Sequence, residues 1–360
     1  MIQKKILIDS ERLRYPNTGL ANVSKNLIKG LIELNDGSND LFFYGPKDYI
    51  GQIAPGASVI PYKKWHRHIE FFSKGFDIVH CEHQLSLYFQ QSYSGTKKIL
   101  TLHDLNFLHE DLSHKKKKRQ LKCVNSNLKN TQYLVCISNF VKEDVLKNSS
   151  ILRLDKLKEI LVIHNGITFP INTFSSLQGK LAFLTHRPYL LNIGVLFHKK
   201  NQKALIEALP YLKEDLVIVA SEHKEPYATE VFDTIRSLGV ENRVHFFSNI
   251  TEEEKNALIQ HSEGLCQPSL AEGFGIPAVE AMALGKPVFL STRTSLPEIG
   301  GDVAFYFEDF APQTMANTIK QGIAKYRTSV IDYPKKIKEW AAQFNYLTMA
   351  QNYLDLYNRI

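Results

Sequence analysis

Short apolar runs alternate with amphipathic stretches along most of the chain. Leu20, Val23, Leu27, Leu31 and Leu34, for example, recur at the spacing of one helix face. Six runs of the first half are typical of buried strands that end in polar residues: KILID in the region 4–9, LFFYGP, FDIVHCE, KKILTLHD, YLVCIS and EILVIHNG. The alternation predicts βαβ units around a mostly parallel sheet.

The second half repeats this pattern, with strands predicted at PYLLNIG, DLVIVAS, RVHFFSN, GLCQPS, KPVFLST and VAFYF. TEEEKNALIQHS predicts a helix that begins at a Thr251 cap and has three glutamates in its first turn. EGFGIPAVEAMALG predicts a helix entered through Pro277 and ended by Gly285.

With 360 residues, the chain is too long for one ordinary core and suits two domains. Around residues 168–187 the periodicity is lost, and proline, serine and glycine gather. We therefore expect an α/β protein with Rossmann-like βαβ domains at 1–170 and 188–335, facing each other across a cleft. Residues 171–187 are the predicted linker, and 336–360 a helix that packs back on the first domain.

The composition is that of a soluble globular protein, with 44% hydrophobic and 22% charged residues. The sequence holds no apolar run of the length that a membrane span needs and no secretory signal pattern at its start. Its four cysteines form no CxxC pair, which argues against a zinc site or a disulfide framework. We expect a cytoplasmic protein.

The charge is uneven: residues 1–180 hold 26 Lys and Arg against 16 Asp and Glu, while residues 181–360 hold 18 against 21. The formal net charge of +7 therefore combines +10 in the first half with −3 in the second. A basic first half indicates contact with something anionic, which leaves nucleic acid, a phospholipid surface and a phosphorylated substrate open.

The segment AEGFGIPAVEAMALGKPV, from Ala271, combines two glycines, a helix start and two glutamates. A helix N-terminus has unpaired N–H groups that favour an anion, and Gly273 and Gly275 let backbone approach a ligand closely. Glu272 and Glu280 offer carboxylates suited to sugar hydroxyls. Taken alone, the two glutamates also fit a helix that simply faces water.

The longer run SLAEGFGIPAVEAMALGKPVFLSTRTSLPEIGGDVAFYF resembles glycosyltransferase family 4, which comprises retaining, nucleotide-sugar-dependent enzymes of the GT-B fold. The resemblance implies that Glu272 lies near the transferred sugar and that Glu280 binds the ribose hydroxyls of the nucleotide. It also implies that the amides of Phe274 and Gly275 contact sugar hydroxyls or phosphate.

A second matching run is LLNIGVLFHKKNQKALIEAL, where the family has a strand ending in glycine, a basic pair and an asparagine. These positions are Gly194, Lys199, Lys200 and Asn201 here, and two cations would stabilise the charge that gathers on the departing diphosphate. The family usually has arginine before lysine, and a lysine cannot form arginine's planar fork. In VIVASEHKEP, Ala220 and Ser221 stand where the family commonly has glycine, which puts base and ribose contacts there in doubt.

The first half matches the family in patches. PNTGLANVSKNL resembles its glycine-rich first loop, although Ala21 stands where a second glycine is usual, and TLHDLNFLH resembles its His-Asp step at a strand end. The resemblance places His103 at the donor sugar, with Asp104 steadying the loop. The further candidates from such short matches are Gly19 near the diphosphate, Ser138 and Asn165 along the cleft, and Ile250 in the loop that meets the base.

These features together predict transfer of a sugar, with retained configuration, from a GDP- or UDP-sugar to a hydroxyl of a glycan or lipid-linked acceptor. Cell-surface polysaccharide or lipopolysaccharide synthesis is the expected setting, with the first domain on the acceptor side. His103, Lys200 and Glu272 are the predicted catalytic residues. The resemblance implies no cofactor and no metal ion. The alternatives are a GT-B sugar-nucleotide epimerase, a phosphorylase, for which no pyridoxal-phosphate site is evident, and a catalytically silent nucleotide-sugar-binding protein.

Two basic segments, SHKKKKRQLK at 113–122 and YKKWHRHIEFFSKGF at 62–76, fit an anionic membrane surface, and the second adds Trp65, Phe71 and Phe72. Solvated helix faces with ordinary core aromatics explain them equally well. A peripheral position on the inner face of the plasma membrane therefore stays an alternative. No nucleic-acid-binding motif accompanies the charge.

Overall fold

The computed structural model describes residues 3–360 except 17, 70–72, 92, 111 and 170–174. By its contacts the chain forms two compact units, the first of residues 1–168 and 344–360 and the second of residues 169–343. Each unit is built on one sheet of parallel strands, so the predicted α/β class with two Rossmann-like domains is confirmed. Among the described residues, no helix combines the length and the apolar character needed to cross a bilayer.

The first unit contains a seven-stranded parallel sheet in the order β3-β2-β1-β4-β5-β6-β7. In its register, Ile6 on the interior strand β1 lies opposite Leu41 on one side and Ile78 on the other. Its strands are β1 (Lys4–Asp9), β2 (Asn39–Gly45), β3 (Ser58–Pro61), β4 (Ile78–Cys81), β5 (Lys97–Leu102), β6 (Tyr133–Cys136) and β7 (Glu159–Val162), and its first helices are α1 (Gly19–Leu34), α2 (Lys47–Ile53), α3 (Asn106–His109), α4 (His114–Leu128) and α5 (Asn139–Lys147).

The strand β3 was not among the six that the apolar runs of the first half predict. It lies at the edge of the sheet, its four residues are exposed or only half-buried, and it ends in Pro61. An edge strand tolerates proline and needs no apolar run, so its sequence carries little signal.

The second unit contains a six-stranded parallel sheet in the order β10-β9-β8-β11-β12-β13. The Thr251 cap predicted for one helix is present as a full capping box with Glu254. Its strands are β8 (Tyr189–Ile193), β9 (Asp215–Val219), β10 (Val244–Phe247), β11 (Gly264–Gln267), β12 (Val288–Ser291) and β13 (Phe305–Phe307), and its helices are α6 (Gln202–Ala208), α7 (Tyr227–Leu238), α8 (Glu252–His261), α9 (Ile276–Ala283), α10 (Leu296–Gly300), α11 (Pro312–Thr328) and α12 (Asp332–Ala341).

The last helix, α13 (Tyr346–Arg359), belongs to the first unit, whereas α12 belongs to the second. Residues 336–360 therefore do not form the single predicted helix: the side chain of Asn345 accepts a hydrogen bond from the N–H of Leu347 at 2.8 Å and starts α13 anew. The helix α13 packs closely on α1, since a Cβ on Gly30 would lie 2.6 Å from the Cβ of Ala350.

Candidate functional site

Each sheet has one place where consecutive connections leave in opposite directions, and ligands of open α/β sheets bind outside the carboxyl ends of the strands there. In the first sheet this place lies between β1 and β4, and in the second between β8 and β11. The strand ends that matter are therefore Asp9 and Cys81 in the first unit, and Ile193 and Gln267 in the second.

In the second unit, Lys200 and Glu272 meet at this position. The Nζ of Lys200 lies 2.5 Å from Oε1 of Glu272, and the same oxygen accepts hydrogen bonds from Gln267 Nε2 at 2.7 Å and Ser269 Oγ at 2.8 Å. The side chain of Lys200 runs past Gly194, where a Cβ would lie 3.6 Å from Lys200 Cε. The structure thus brings three predicted residues together, and Oε2 of Glu272 has no partner among the described residues.

The carboxyl group of Glu272 is held in its ionised form. Burial by itself would raise its pKa, but the charge of Lys200 and the hydrogen bonds from Lys200, Gln267 and Ser269 outweigh burial and lower the pKa below its usual value. At neutral pH, Glu272 therefore accepts hydrogen bonds and does not donate a proton.

The loop that carries Glu272 is held by the side chains of Thr294 and Ser295, which form hydrogen bonds with its backbone. Thr294 Oγ1 accepts a hydrogen bond from Glu272 N at 3.0 Å, and Ser295 Oγ donates to the carbonyls of Glu272 at 3.0 Å and Phe274 at 3.1 Å. Gly275 then starts α9 with a φ of 108°, a conformation that only glycine adopts without strain. The side chain of Phe274 is buried, so its contribution to ligand contact is limited to its backbone.

Glu280 lies one turn into α9 and forms a separate ion pair. Its Oε1 lies 2.8 Å from Nζ of Lys255 on α8, and that Nζ also lies 2.9 Å from Oε2 of Glu252. Burial raises the pKa of Glu280 and Glu252 adds to this, while Lys255 opposes both. No sequence motif singles out Lys255, because its partner is 25 positions away and on another helix.

The remaining predicted residues of the second unit lie in the loops at the carboxyl ends of β8 and β10. Asn201 has a φ of 55° and donates to the carbonyl of Pro268 at 3.3 Å, while the carbonyl of Lys199 accepts from Leu270 N at 2.7 Å. These two bonds join the loop of the basic pair to the loop of Glu272. Ile250 follows β10 and directly precedes the Thr251 cap of α8.

In the first unit, His103 follows β5 and is buried. Its Nε2 lies 2.8 Å from the carbonyl oxygen of Glu82, which can only accept, so Nε2 carries the proton and Nδ1 is left as an acceptor. Burial lowers the pKa of His103 to about 4, with Arg12 also lowering it and the Glu82 carbonyl opposing. The imidazole is therefore neutral at neutral pH.

Polar residues outside the predicted set surround His103. Arg12 Nη2 donates to Nδ1 of His83 at 2.8 Å, and burial, Arg12 and His103 hold the pKa of His83 well below its usual value. Burial raises the pKa of Glu82 well above the normal range and that of Asp9 to about 7. A cavity of about 10 Å³ of water-accessible space, room for about one water molecule, is lined by Arg12, Leu20, Val23, Leu27, Glu82, Thr101, His103, Asn165, Met349 and Tyr353.

Of the other predicted residues of the first unit, two lie at or beside this cavity and two stabilise a turn or a helix start. Asn165 lines the cavity, and Gly19 is the first residue of α1, beside the lining residue Leu20. Asp104 Oδ1 accepts from Asn106 N at 3.0 Å and closes the turn after His103. Ser138 caps α5 by accepting from Val141 N at 3.2 Å. Among the described residues, no group of three or more metal-ligating side chains occurs.

The family model described as "Glycosyl transferases group 1" matches residues 174–343, a span that contains the Lys200–Glu272 cluster and the Lys255–Glu280 pair. A curated relative, the O-antigen chain mannosyltransferase B of Escherichia coli, is 22% identical over 325 residues, which cover 83% of this chain and 85% of the relative. An MMP α-(1→4)-mannosyltransferase of Mycolicibacterium hassiacum is 48% identical, but only over 67 residues, 19% of this chain and 16% of that protein.

The fold is also that of a solved structure. The crystal structure of Anabaena HepE in complex with UDP and glucose superimposes with a TM-score of 0.76 at 19% identity, covering 99% of this chain and all of the other. The likeness extends over both units and therefore concerns the whole fold.

Proposed function

We propose that this chain, a glycosyltransferase of the GT-B fold whose residues 174–343 match the group 1 family model, transfers a hexose from a nucleotide diphosphate sugar. The configuration of the transferred sugar is retained. The acceptor is a hydroxyl of a glycan or lipid-linked glycan in the synthesis of a cell-surface polysaccharide such as O-antigen. The observation that carries the proposal is the cluster of Lys200, Glu272, Gln267 and Ser269 at the switch point of the second sheet.

The diphosphate of the donor is bound by Lys199, Lys200 and the first amides of α9. Two cations and a helix N-terminus favour an anion, and they favour it more as the glycosidic bond breaks and negative charge gathers on the leaving diphosphate. Lys200 has three N–H donors, so it can keep its bond to Glu272 while it contacts a phosphate oxygen.

Glu272 binds hydroxyls of the transferred sugar, and Glu280 binds the ribose. The lowered pKa of Glu272 supports an acceptor role and does not fit the acid of a hydrolase pair, which needs a raised pKa. In the first unit, the neutral ring of His103 offers an acceptor at Nδ1, which suits a sugar hydroxyl.

Mannose is the first candidate for the transferred sugar, because two of the relatives are named as mannosyltransferases. Glucose is the second, since HepE was crystallised with UDP and glucose. No metal ion is included in the proposal, because the lysines and the helix terminus supply the positive charge that a metal would otherwise provide.

The test is a panel of GDP-mannose, UDP-glucose and UDP-N-acetylglucosamine with lipid-linked glycan extracts, with and without EDTA. We expect release of one nucleoside diphosphate, unaffected by EDTA, and a product whose anomeric configuration by NMR equals that of the donor. Lys200→Met should abolish turnover, while Lys203→Met, which removes a neighbouring lysine on α6, should not. Interconversion of sugar nucleotides would identify an epimerase, and binding without turnover a silent binding protein; either result would refute the proposal.

We also propose that the basic face of α4 binds an anionic membrane that holds the acceptor. From Leu112 through Lys142 the sequence has eight Lys and Arg and no Asp or Glu. The structure leaves Lys115, Lys116, Lys118, Arg119 and Lys122 exposed.

Apolar side chains accompany this charge in the first unit. Leu87 is 48% exposed, in a loop that Gln90 Nε2 ties to Cys123 Sγ of α4 at 3.3 Å. Trp65, in the other basic segment, is 49% exposed, whereas Phe71 and Phe72 lie outside the described residues. Basic residues beside exposed apolar side chains fit the headgroup region of a bilayer.

Cosedimentation with phosphatidylglycerol vesicles, compared with phosphatidylcholine vesicles, tests the membrane proposal. Binding should weaken with salt. It should also weaken in a quadruple variant in which glutamine replaces Lys115, Lys116, Lys117 and Lys118. The control variant, with glutamine in place of Lys213, Lys320, Lys335 and Lys336 of the second unit, should bind as wild type does. Equal binding to both kinds of vesicle, or an unchanged quadruple variant, would refute it.

A further inference from the structure

A buried lysine contacts the second of the two glutamates in the donor-binding unit. Lys255 lies one turn into α8, just after the capping box, and its side chain is only 12% exposed. Its Nζ lies 2.8 Å from Oε1 of Glu280 and 2.9 Å from Oε2 of Glu252. The two acids differ in exposure, since the side chain of Glu280 is 15% exposed and that of Glu252 is 76% exposed.

The ion pair with Lys255 favours the ionised form of the buried Glu280. A carboxylate that is to accept a hydrogen bond from a sugar hydroxyl must be ionised, but burial favours the protonated form. Burial does raise the pKa of Glu280, and Glu252 raises it further; Lys255 is the group that lowers it. The pKa of Lys255 is in turn raised, because the charges of Glu280 and Glu252 outweigh its own burial.

The two oxygens of Glu280 are not equivalent. Oε1 accepts the bond from Lys255, whereas Oε2 has no partner among the described residues. One oxygen is thereby fixed by the protein, and the other is left to accept from a ligand.

We infer that Lys255 is a positioning residue of the donor site, which holds Glu280 as an oriented carboxylate whose Oε2 accepts a ribose hydroxyl of the nucleotide. This inference rests on the proposed function, because it takes the nucleotide to be bound at α9. It adds Lys255 to the donor site as a residue that affects nucleotide binding through the carboxylate of Glu280.

Among the described residues, no other cationic side chain forms an ion pair with Glu280 that could replace Lys255. The elements packed on α9 are α10, α12, β11 and β12, and among the described residues Lys255 is the only ion-pair partner of Glu280. The titratable side chains of those elements are Cys266 on β11, Glu298 on α10, and Asp332, Tyr333, Lys335, Lys336, Lys338 and Glu339 on α12. Loss of Lys255 therefore leaves Glu280 buried with the repulsion of Glu252 and without its cation.

The test is the affinity for UDP and GDP, measured by titration calorimetry between pH 6 and pH 8.5 for wild type, Lys255→Met, Lys255→Arg and Glu280→Gln. Without its cation, the buried Glu280 of Lys255→Met should take up a proton more readily as the pH falls, so we expect Kd at pH 6 to exceed Kd at pH 8.5 by about tenfold. The wild type and Lys255→Arg should show a much smaller change over this range. Glu280→Gln should bind the nucleotide more weakly than wild type, and by the same factor at every pH.

Two further variants separate the inference from a loss of fold and from a failure of the proposed function. The double variant Lys255→Met/Glu280→Gln should lose the pH dependence of the single lysine variant, because glutamine does not titrate. Lys203→Met, which breaks the Lys203–Glu207 pair at 3.9 Å in the same unit, is the matched control and should behave as wild type.

The outcomes are distinct. If wild type binds neither UDP nor GDP, the proposed function fails. If wild type binds one of them and Lys255→Met shows the wild-type pH profile, the inference about Lys255 is overturned while the proposed function stands. A tenfold pH effect that arginine removes and that requires Glu280 supports the inference.

Discussion

Asp9 ends the interior strand β1 at the switch point of the first sheet and is 3% exposed. Its Oδ1 accepts from Glu11 N at 3.1 Å, and the thiol of Cys81 donates to its Oδ2 at 3.7 Å. Burial first, and the charge of Glu11 second, raise its pKa from 3.8 to about 7. The change Asp9→Asn keeps the shape and the acceptor oxygen but removes the group that must ionise.

The magnitude follows from proton linkage. In the folded protein Asp9 keeps its proton up to about pH 7, whereas in the unfolded chain it loses it near 3.8, so the folded state binds more protons between these values and stability falls as the pH rises. One pH unit corresponds to about 1.4 kcal/mol, so the complete effect is about 4 kcal/mol. Between pH 5 and pH 8, Asp9→Asn should gain about 2–3 kcal/mol of unfolding free energy relative to wild type.

The assay must report on the first unit, since the second does not contain Asp9. Hydrogen exchange of peptides from β1 and β4, measured across this pH range, gives the free energy of opening for that region. The exposed Asp155 in a turn of the same unit, changed to asparagine, is the matched control and should show a flat difference. A difference between Asp9→Asn and wild type that stays constant within about 0.5 kcal/mol would refute the assignment of a raised pKa.

Three further predictions concern single positions. Gly275→Ala forces a φ of 108° on alanine and sets its Cβ 2.8 Å from Leu296 Cδ2, so calorimetry should show the second unit destabilised by about 1–3 kcal/mol; an unchanged Tm would contradict this. Burial lowers the pKa of Lys98 from 10.5 to about 8, so between these pH values the unfolded chain binds more protons than the folded protein. As the pH rises from 8 to 10.5, urea denaturation should therefore show the unfolding free energy of wild type increasing by about 3 kcal/mol relative to Lys98→Met. A constant difference between the two proteins would contradict this. Glu272→Gln should reduce turnover at least tenfold while changing the affinity for UDP or GDP less, because the carboxylate is assigned to the sugar; the reverse order of effects would contradict that assignment.

The fold was predictable because the buried strands of parallel sheets leave strong apolar runs. The run ending at Asp9, the Thr251 cap and the helix entered through Pro277 all appear as predicted. The failures occurred where tertiary contacts decide the structure. The edge strand β3 has no apolar run, and residues 336–360 form parts of two helices because Asn345 caps a new one.

The candidate site was predictable where its residues are close in sequence. Glu272 and Glu280 lie in one motif, but their partners Lys200 and Lys255 come from other elements, and only the ion pair between α8 and α9 identifies Lys255. Asp9 and Glu82 could have been noted as the polar ends of two apolar runs. Their significance depends on β1 and β4 being neighbours, which strand order alone reveals.

The return of α13 to the first unit has a consequence for how the polypeptide acquires its structure. Lys4, at the start of β1, donates to the carbonyls of Tyr357 at 2.9 Å, Asn358 at 2.9 Å and Ile360 at 3.0 Å, so β1 is joined to a helix that is translated after all of residues 169–343. The unit that is translated first is thus the one completed last, after residues 169–343 have been made. Expressing residues 1–168 alone should yield an incomplete core, and adding a peptide of residues 344–360 should restore it.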